Sequence, residues 1–221
     1  MVKIMYASIT KKIVMSLVGL FLTSFLVVHM SINLLILFDD TRQLFNEAAH
    51  FMATNPFIQT FQWILFIGFI VHIILGLVLQ IQNWMARPVG YDRKGSSEMS
   101  FFSKYMIHTG AIVFIFLLLH FANFFVKAKF GHLEEITYDS GTFEDLGILV
   151  VQLFQDGGYV AFYVIAILLL GFHLEHGFQS AFQSLGLNHN KYTPVIKVVG
   201  TLFSIAITLG YIAIPLVIYF S

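Results

Sequence analysis

The chain of 221 residues contains no cysteine. That absence removes disulfides, thiolate-held iron–sulfur clusters and the C-x-x-C-H attachment of c-type haem together. Charge is also scarce: 11% of the residues are charged, twelve basic against twelve acidic, and the formal net charge is zero. Without a basic surface to neutralise phosphates, nucleic acid is excluded as a partner. Only four prolines occur, and Pro215 alone falls well inside an apolar run. What fills the chain is apolar: 58% of residues, with a mean hydropathy of +0.83 and an isoelectric point near 7.1. Such a composition describes an integral membrane protein rather than an ordinary soluble domain.

Crossing a bilayer as a helix takes about 20 apolar residues. Five runs meet that length, near 13–38, 58–84, 104–127, 157–185 and 195–220, so the expected fold is an all-α bundle of five transmembrane helices forming one domain over 1–221. The first run follows Lys3, Lys11 and Lys12 like a secretory signal. It is too long for a signal core and has no small-residue cleavage site, so it reads as a retained span. Lys3, Lys11, Lys12, Arg87, Arg93, Lys94, Lys104, Lys191 and Lys197 are nine of the twelve basic residues and flank one side of the spans. The other side carries Asp39, Asp40, Glu47, Glu134, Glu135, Asp139, Glu144, Asp145 and Asp156. By the positive-inside rule the N-terminus is expected in the cytoplasm and the C-terminus outside.

Within these runs lie four histidines, His29, His72, His120 and His173, each on a different span. An ionisable side chain at membrane depth is costly and normally faces the bundle interior, where it serves a pathway or a ligand. Depth sorts the four. His29 precedes Asp39 by ten residues and His120 precedes Lys127 by seven, which at helical rise puts both roughly 10 to 15 Å from the outer edge. His72 follows Pro56 by sixteen residues and His173 follows Asp156 by seventeen, so both lie roughly 25 Å from that edge. Imidazole is the usual axial ligand of b haem, and two helices can clamp one iron from both faces. The expectation is two haems, an outer one on His29 and His120 and an inner one on His72 and His173.

Neighbouring residues add detail. Gly76 and Gly177 each follow an inner histidine by four residues, on the same helix face, where a missing side chain leaves room for a flat macrocycle. Asn33 and Asn123 place amide donors beside His29 and His120, for haem propionates, a quinone or contact between helices. His176, one turn beyond His173, is an alternative ligand, with a propionate or supporting role preferred. His108 reads as interfacial, and His50, His132 and His189 as solvated loop residues.

These residues carry a resemblance. From SITKKIVMSLVGLFLTSFLVVHM, through LFNEAAHFMATNPF, FIVHIILG and LLLHFANF, to GFHLEHGFQSAFQSLGL, the chain resembles the cytochrome b membrane subunit of succinate dehydrogenase and fumarate reductase. The likeness is to the five-helix, di-haem class of Bacteroidetes type, the anchor of respiratory complex II. It implies the same ligand pairs, with His29 and His120 on the distal haem and His72 and His173 on the proximal one. It also implies partners: a flavoprotein with covalent FAD, where succinate and fumarate interconvert, and an iron–sulfur protein docked on the cytoplasmic face of a bacterial inner membrane. Neither activity fits this chain, which has no cysteines for clusters and no dinucleotide-binding fold. Menaquinone is the implied quinone, near the distal haem, with His50, Glu47 and Asn33 the polar candidates at that end. The chain departs from some fumarate reductases that carry a glutamate two residues before the fourth-span ligand, since Gly171 stands there and Glu175 lies two residues after His173.

Two other classes compete. The cytochrome b subunit of a hydrogenase or formate dehydrogenase would keep the histidine pattern with a different electron donor, although the segments around His50 and His173 favour the first reading. A transporter would use intramembrane histidines as a relay, but no repeat or broken span is evident.

Overall fold

The computed structural model describes residues 8–86 and 101–221. Five of its helices are long and apolar enough to cross a membrane, which makes this a multi-pass, all-α membrane bundle. They are α1 (Ser8–Leu34, extended by a 3-10 turn, Leu35–Leu37), α3 (Pro56–Met85), α4 (Phe101–His120), α6 (Gly157–Ser184) and α7 (Thr193–Phe220). The 104–127 span differs from a plain helix. After His120 it passes through a π-helical turn, Phe121–Val126, before a last α turn, Lys127–Phe130. Of the basic residues used to orient the chain, Lys3, Arg87, Arg93 and Lys94 lie outside the described residues.

Local chemistry sets the helix ends. Asn55 caps α3 by accepting from the amides of Phe57 and Ile58, with Pro56 in the first helical position, where its missing N–H costs nothing. Asp156 caps α6 through the Tyr159 amide. At the other end of α6, Gly186 takes φ +82° while the amides of Gly186 and Leu187 return to the carbonyls of Gln183 and Phe182, a Schellman stop that turns the chain into α7.

The segments read as acidic loops are folded. Between α1 and α3 lies α2 (Gln43–Thr54), and after α4 come an antiparallel hairpin, β1 (Glu135–Tyr138) with β2 (Gly141–Glu144), and α5 (Leu146–Phe154). Together they cap one end of the bundle. Hydropathy could not find them, because no member is long enough to span and the cap is held by polar bonds over large sequence separations. Asn46, 1% exposed, is its centre: its amide donates to Asp145 Oδ1 (2.9 Å) and Tyr138 Oη (3.0 Å), and its oxygen accepts from the Gly147 amide (2.9 Å). Every polar atom of that buried side chain is thus satisfied. Arg42, in a left-handed backbone conformation (φ 63°), reaches Asp145 through Nη2 at 2.8 Å. A Cβ on Gly147 would come within 2.8 Å of the Arg42 side chain, so the close approach requires glycine. Beneath this network Phe45, Val150 and Phe154 pack with Ile36, Val160, Tyr163, Ile167, Ile214 and Ile218 into the main core.

The cap should have a defined acid limit. Burial works against ionisation of Asp145, but the bonds from Arg42, Asn46 and the Ile148 amide outweigh it and hold its pKa below the ordinary 3.8. A carboxylate with a depressed folded pKa adds stability that is present above its ordinary value and is lost as pH falls through the lower folded value. Pepsin is therefore expected to spare the hairpin at about pH 4 and to cleave it at a pH below the depressed folded value, while Asp145→Asn is cut at both. Equal cleavage of the unsubstituted protein at both pH values would contradict this account.

The last span braces the fourth. A Cβ on Gly171 of α6 would collide with Thr208 of α7, and one on Gly200 of α7 would come within 2.8 Å of Phe178 of α6. Small residues let two membrane helices approach this closely. Thr201 Oγ1 donates to Glu175 at 2.8 Å across the same interface, and Tyr211 Oη donates to the Leu26 carbonyl of α1 at 2.8 Å. By contrast α3 meets the π-helical turn after α4 through phenylalanine edges, Phe66 lying 5.7 Å from Phe121 and 5.5 Å from Phe125 between ring centres.

Candidate functional site

The bundle brings the four membrane histidines together in two pairs. His29 of α1 faces His120 of α4 with ring centres 5.8 Å apart and planes at 87°. His72 of α3 faces His173 of α6 at 6.1 Å and 67°. It is thus His173, rather than His176 one turn on, whose ring meets His72. Two imidazoles bound to one metal from opposite faces, with metal–nitrogen bonds of about 2 Å, hold their ring centres roughly 6 Å apart. Both pairs have that spacing.

The donor count narrows what such a pair can hold. Among the described residues no group of three or more His, Cys, Asp or Glu side chains is placed to bind a metal ion. Two imidazoles alone leave a bare transition ion short of its usual four or more ligands. They suit a metal that arrives with its own equatorial donors, as the iron of a porphyrin does.

The surroundings of the two pairs differ. Nδ1 of His72 and Nδ1 of His173 are buried and have no hydrogen-bond partner. A buried polar nitrogen left unpaired costs about 1–3 kcal/mol, which points to a function for these rings beyond helix contact. Facing them are two glycines that the spacing around each histidine did not single out. A Cβ on Gly19 of α1 would lie 3.8 Å from His72 Cε1, and one on Gly110 of α4 would lie 3.4 Å from His173 Cε1. The expected cradle residues, Gly76 and Gly177, instead open towards the methyl ends of Met15 (3.5 Å) and Met106 (3.8 Å), which are flexible and can give way. A pattern in the sequence does mark the other two: Gly19 precedes His29 by ten residues, and Gly110 precedes His120 by ten. Ten residues of helix rise roughly 15 Å, so α1 and α4 each give a histidine to one pair and a glycine to the layer of the other.

Around the first pair the lining is aromatic and hydrogen-bonded. Phe25 stacks on His29 at 5.2 Å, Tyr211 lies 6.1 Å from it, and Phe116 and Phe124 flank His120 at 5.7 and 5.1 Å. Asn33 Nδ2 donates to the His29 carbonyl at 2.7 Å and lies 3.3 Å from its Nδ1. Asn123 Nδ2 donates to Tyr159 Oη at 2.6 Å, joining the π-helical turn to α6. Tyr163 Oη lies 3.3 Å from His120 Nδ1. Neither tyrosine was singled out from the sequence, because nothing in an apolar helix marks the direction in which a phenol points.

The polar candidates for a quinone at this end each have partners of their own. Glu47 accepts from Gln43 at 2.7 Å and from Ser140, and these bonds, Ser140 first, hold its carboxyl below the ordinary range. His50 lies on α2 rather than in a loop; it is exposed, with its ring edge against Phe143 at 5.2 Å. His108, His132 and His189 are exposed, and His176 is half-buried.

Comparison with protein-family models, with curated proteins and with solved structures returns no match for this chain.

Proposed function

We propose that this chain is the membrane anchor and electron-transfer subunit of a succinate:quinone oxidoreductase, holding two b haems between its helices. The observation that carries the haem reading is the pair geometry: two imidazole pairs, each from two different helices, at the separation of axial ligands, with no group of three or more metal-binding side chains among the described residues. The motif resemblance supplies the rest, namely the donor side and the quinone. On that reading the N-terminus and the α6–α7 turn face the cytoplasm, where an iron–sulfur subunit and its FAD-bearing flavoprotein dock. The capped end lies outside the bacterial inner membrane, with menaquinone as the acceptor there.

When bound, the haems supply one-electron transfer across the bilayer. The chain's own residues fix where that happens. His72 and His173 hold the cytoplasmic site, Gly19 and Gly110 leave its walls open, and His29 and His120 hold the outer site about 15 Å away by helical rise. The α6–α7 clasp of Glu175 and Thr201 keeps the ligand-bearing face of α6 turned from the lipid. Dicarboxylate chemistry belongs to the partner subunits, since this chain has neither thiolates nor a nucleotide fold.

The test is a haem-to-polypeptide ratio and a reduced-minus-oxidised spectrum of the complex isolated through this subunit, with succinate as reductant. About two b haems per chain, reduced by succinate, are expected. Two haems that ignore succinate would transfer the chain to another membrane oxidoreductase, and a chain without haem would end the cytochrome reading.

A further inference from the structure

Tyr163 is buried deeper than its packing requires of a phenol. It is 3% exposed and sits among Phe116 (5.0 Å), Phe154 (5.1 Å), Phe162 (5.9 Å) and Phe124 (6.4 Å) between ring centres. A phenylalanine would fill that aromatic box equally well, and a buried hydroxyl is costly unless it is bonded. Among the described residues its hydroxyl meets His120 Nδ1 at 3.3 Å and Tyr159 Oη at 3.4 Å, the latter bonded in turn to the amide of Asn123 at 2.6 Å. A row of four side chains thus runs from a ligand histidine towards the capped end. The row depends on the π-helical turn that begins directly after His120, because the extra residue of such a turn re-aims the side chains that follow it. His120 and Asn123 stand on either side of that change, and both engage tyrosines of α6.

We infer that Tyr163 is the positioning residue for His120, holding its ring by an Nδ1–H bond so that the Nε2 lone pair points at the metal position facing His29, with Tyr159 and Asn123 fixing Tyr163 in turn. This rests on the haem reading above. An imidazole that coordinates through Nε2 carries its proton on Nδ1 and donates it. Tyr163 Oη accepts that bond on one lone pair and the Tyr159 hydroxyl on the other, and Tyr159 Oη in turn accepts from the Asn123 amide. A hydroxyl oxygen can accept two bonds, so the row serves His120 with Tyr159 and Asn123 as they stand. The second pair lacks the device, since Nδ1 of His72 and of His173 has no partner. A donated Nδ1–H bond raises the basicity of the ligand and favours ferric iron, so the two sites are set apart by chemistry that the chain itself supplies.

The experiment compares Tyr163→Phe with the unsubstituted protein in the intact complex, reading haem content, the midpoint potential of each b haem and the low-temperature EPR of each ferric haem. In Tyr163→Phe the haem of His29 and His120 is expected to shift to higher potential with altered g-values, or to be lost alone, while the other haem is unchanged. Tyr159→Phe should move the same haem in the same direction by less. Both haems unchanged in Tyr163→Phe, or both altered equally, would overturn the inference while leaving the proposed function standing. An unsubstituted chain without haem would remove both.

Discussion

Replacing His120 with alanine is expected to halve the haem content, from about two b haems per chain to about one, and the haem that disappears is the outer one. His29→Ala should give the same result, because the two rings face each other at 5.8 Å from α1 and α4. His72→Ala or His173→Ala should remove the inner haem instead. His176 is the check on this assignment: half-buried and one turn away, it should be replaceable by alanine without loss of either haem. The measurement is a pyridine haemochrome assay per polypeptide, with redox titration to identify the surviving haem. Two haems with unaltered low-spin spectra in all four alanine variants would sink the ligand assignment.

Gly110→Leu should empty the inner site while leaving the outer one filled. The Cβ alone would stand 3.4 Å from His173 Cε1, ordinary contact, but the branched remainder must extend into the space that a flat macrocycle against that ring would occupy. Forcing such bulk into a packed site costs about 1–3 kcal/mol where the site can yield, and more where it cannot. Gly19→Leu should act similarly from α1, with a milder effect because its Cβ starts 3.8 Å from His72. Substitutions at Gly76 or Gly177 meet the flexible ends of Met15 and Met106 and should be tolerated better. Absorption spectra with haem quantitation decide the matter. A two-haem Gly110→Leu protein alongside a haem-depleted Gly177→Leu protein would reverse the cradle assignment.

The contrast between those glycines shows how far the sequence could be read. The four histidines stood out because membrane helices rarely carry ionisable groups, and residue counts from the span ends sorted them by depth. The i+4 rule then chose Gly76 and Gly177, since it reads one helix at a time. The glycines facing the imidazoles sit on the helices across from them, so only a comparison between spans could suggest them, through the shared ten-residue spacing of Gly19 to His29 and Gly110 to His120. Tyr163 lies ten residues before His173 and bonds to His120 of the other pair.

By itself the sequence determined that five apolar helices are long enough to cross a membrane, that no thiolate chemistry is present, and that four histidines lie at two depths. Those properties depend on length, composition and helical rise, which are fixed residue by residue. The tertiary structure alone decided which glycines face the rings, that Tyr163 and Asn123 connect α4 and its π-helical turn to α6, that α4 changes to π-helical geometry after His120, and that two acidic loops fold into a cap around Asn46. In lipid, a helix that is apolar all round carries little in its hydropathy to say which face turns inward. Rotation and register come from close packing between small residues and from a few interhelical hydrogen bonds, and these exist only once the helices have met.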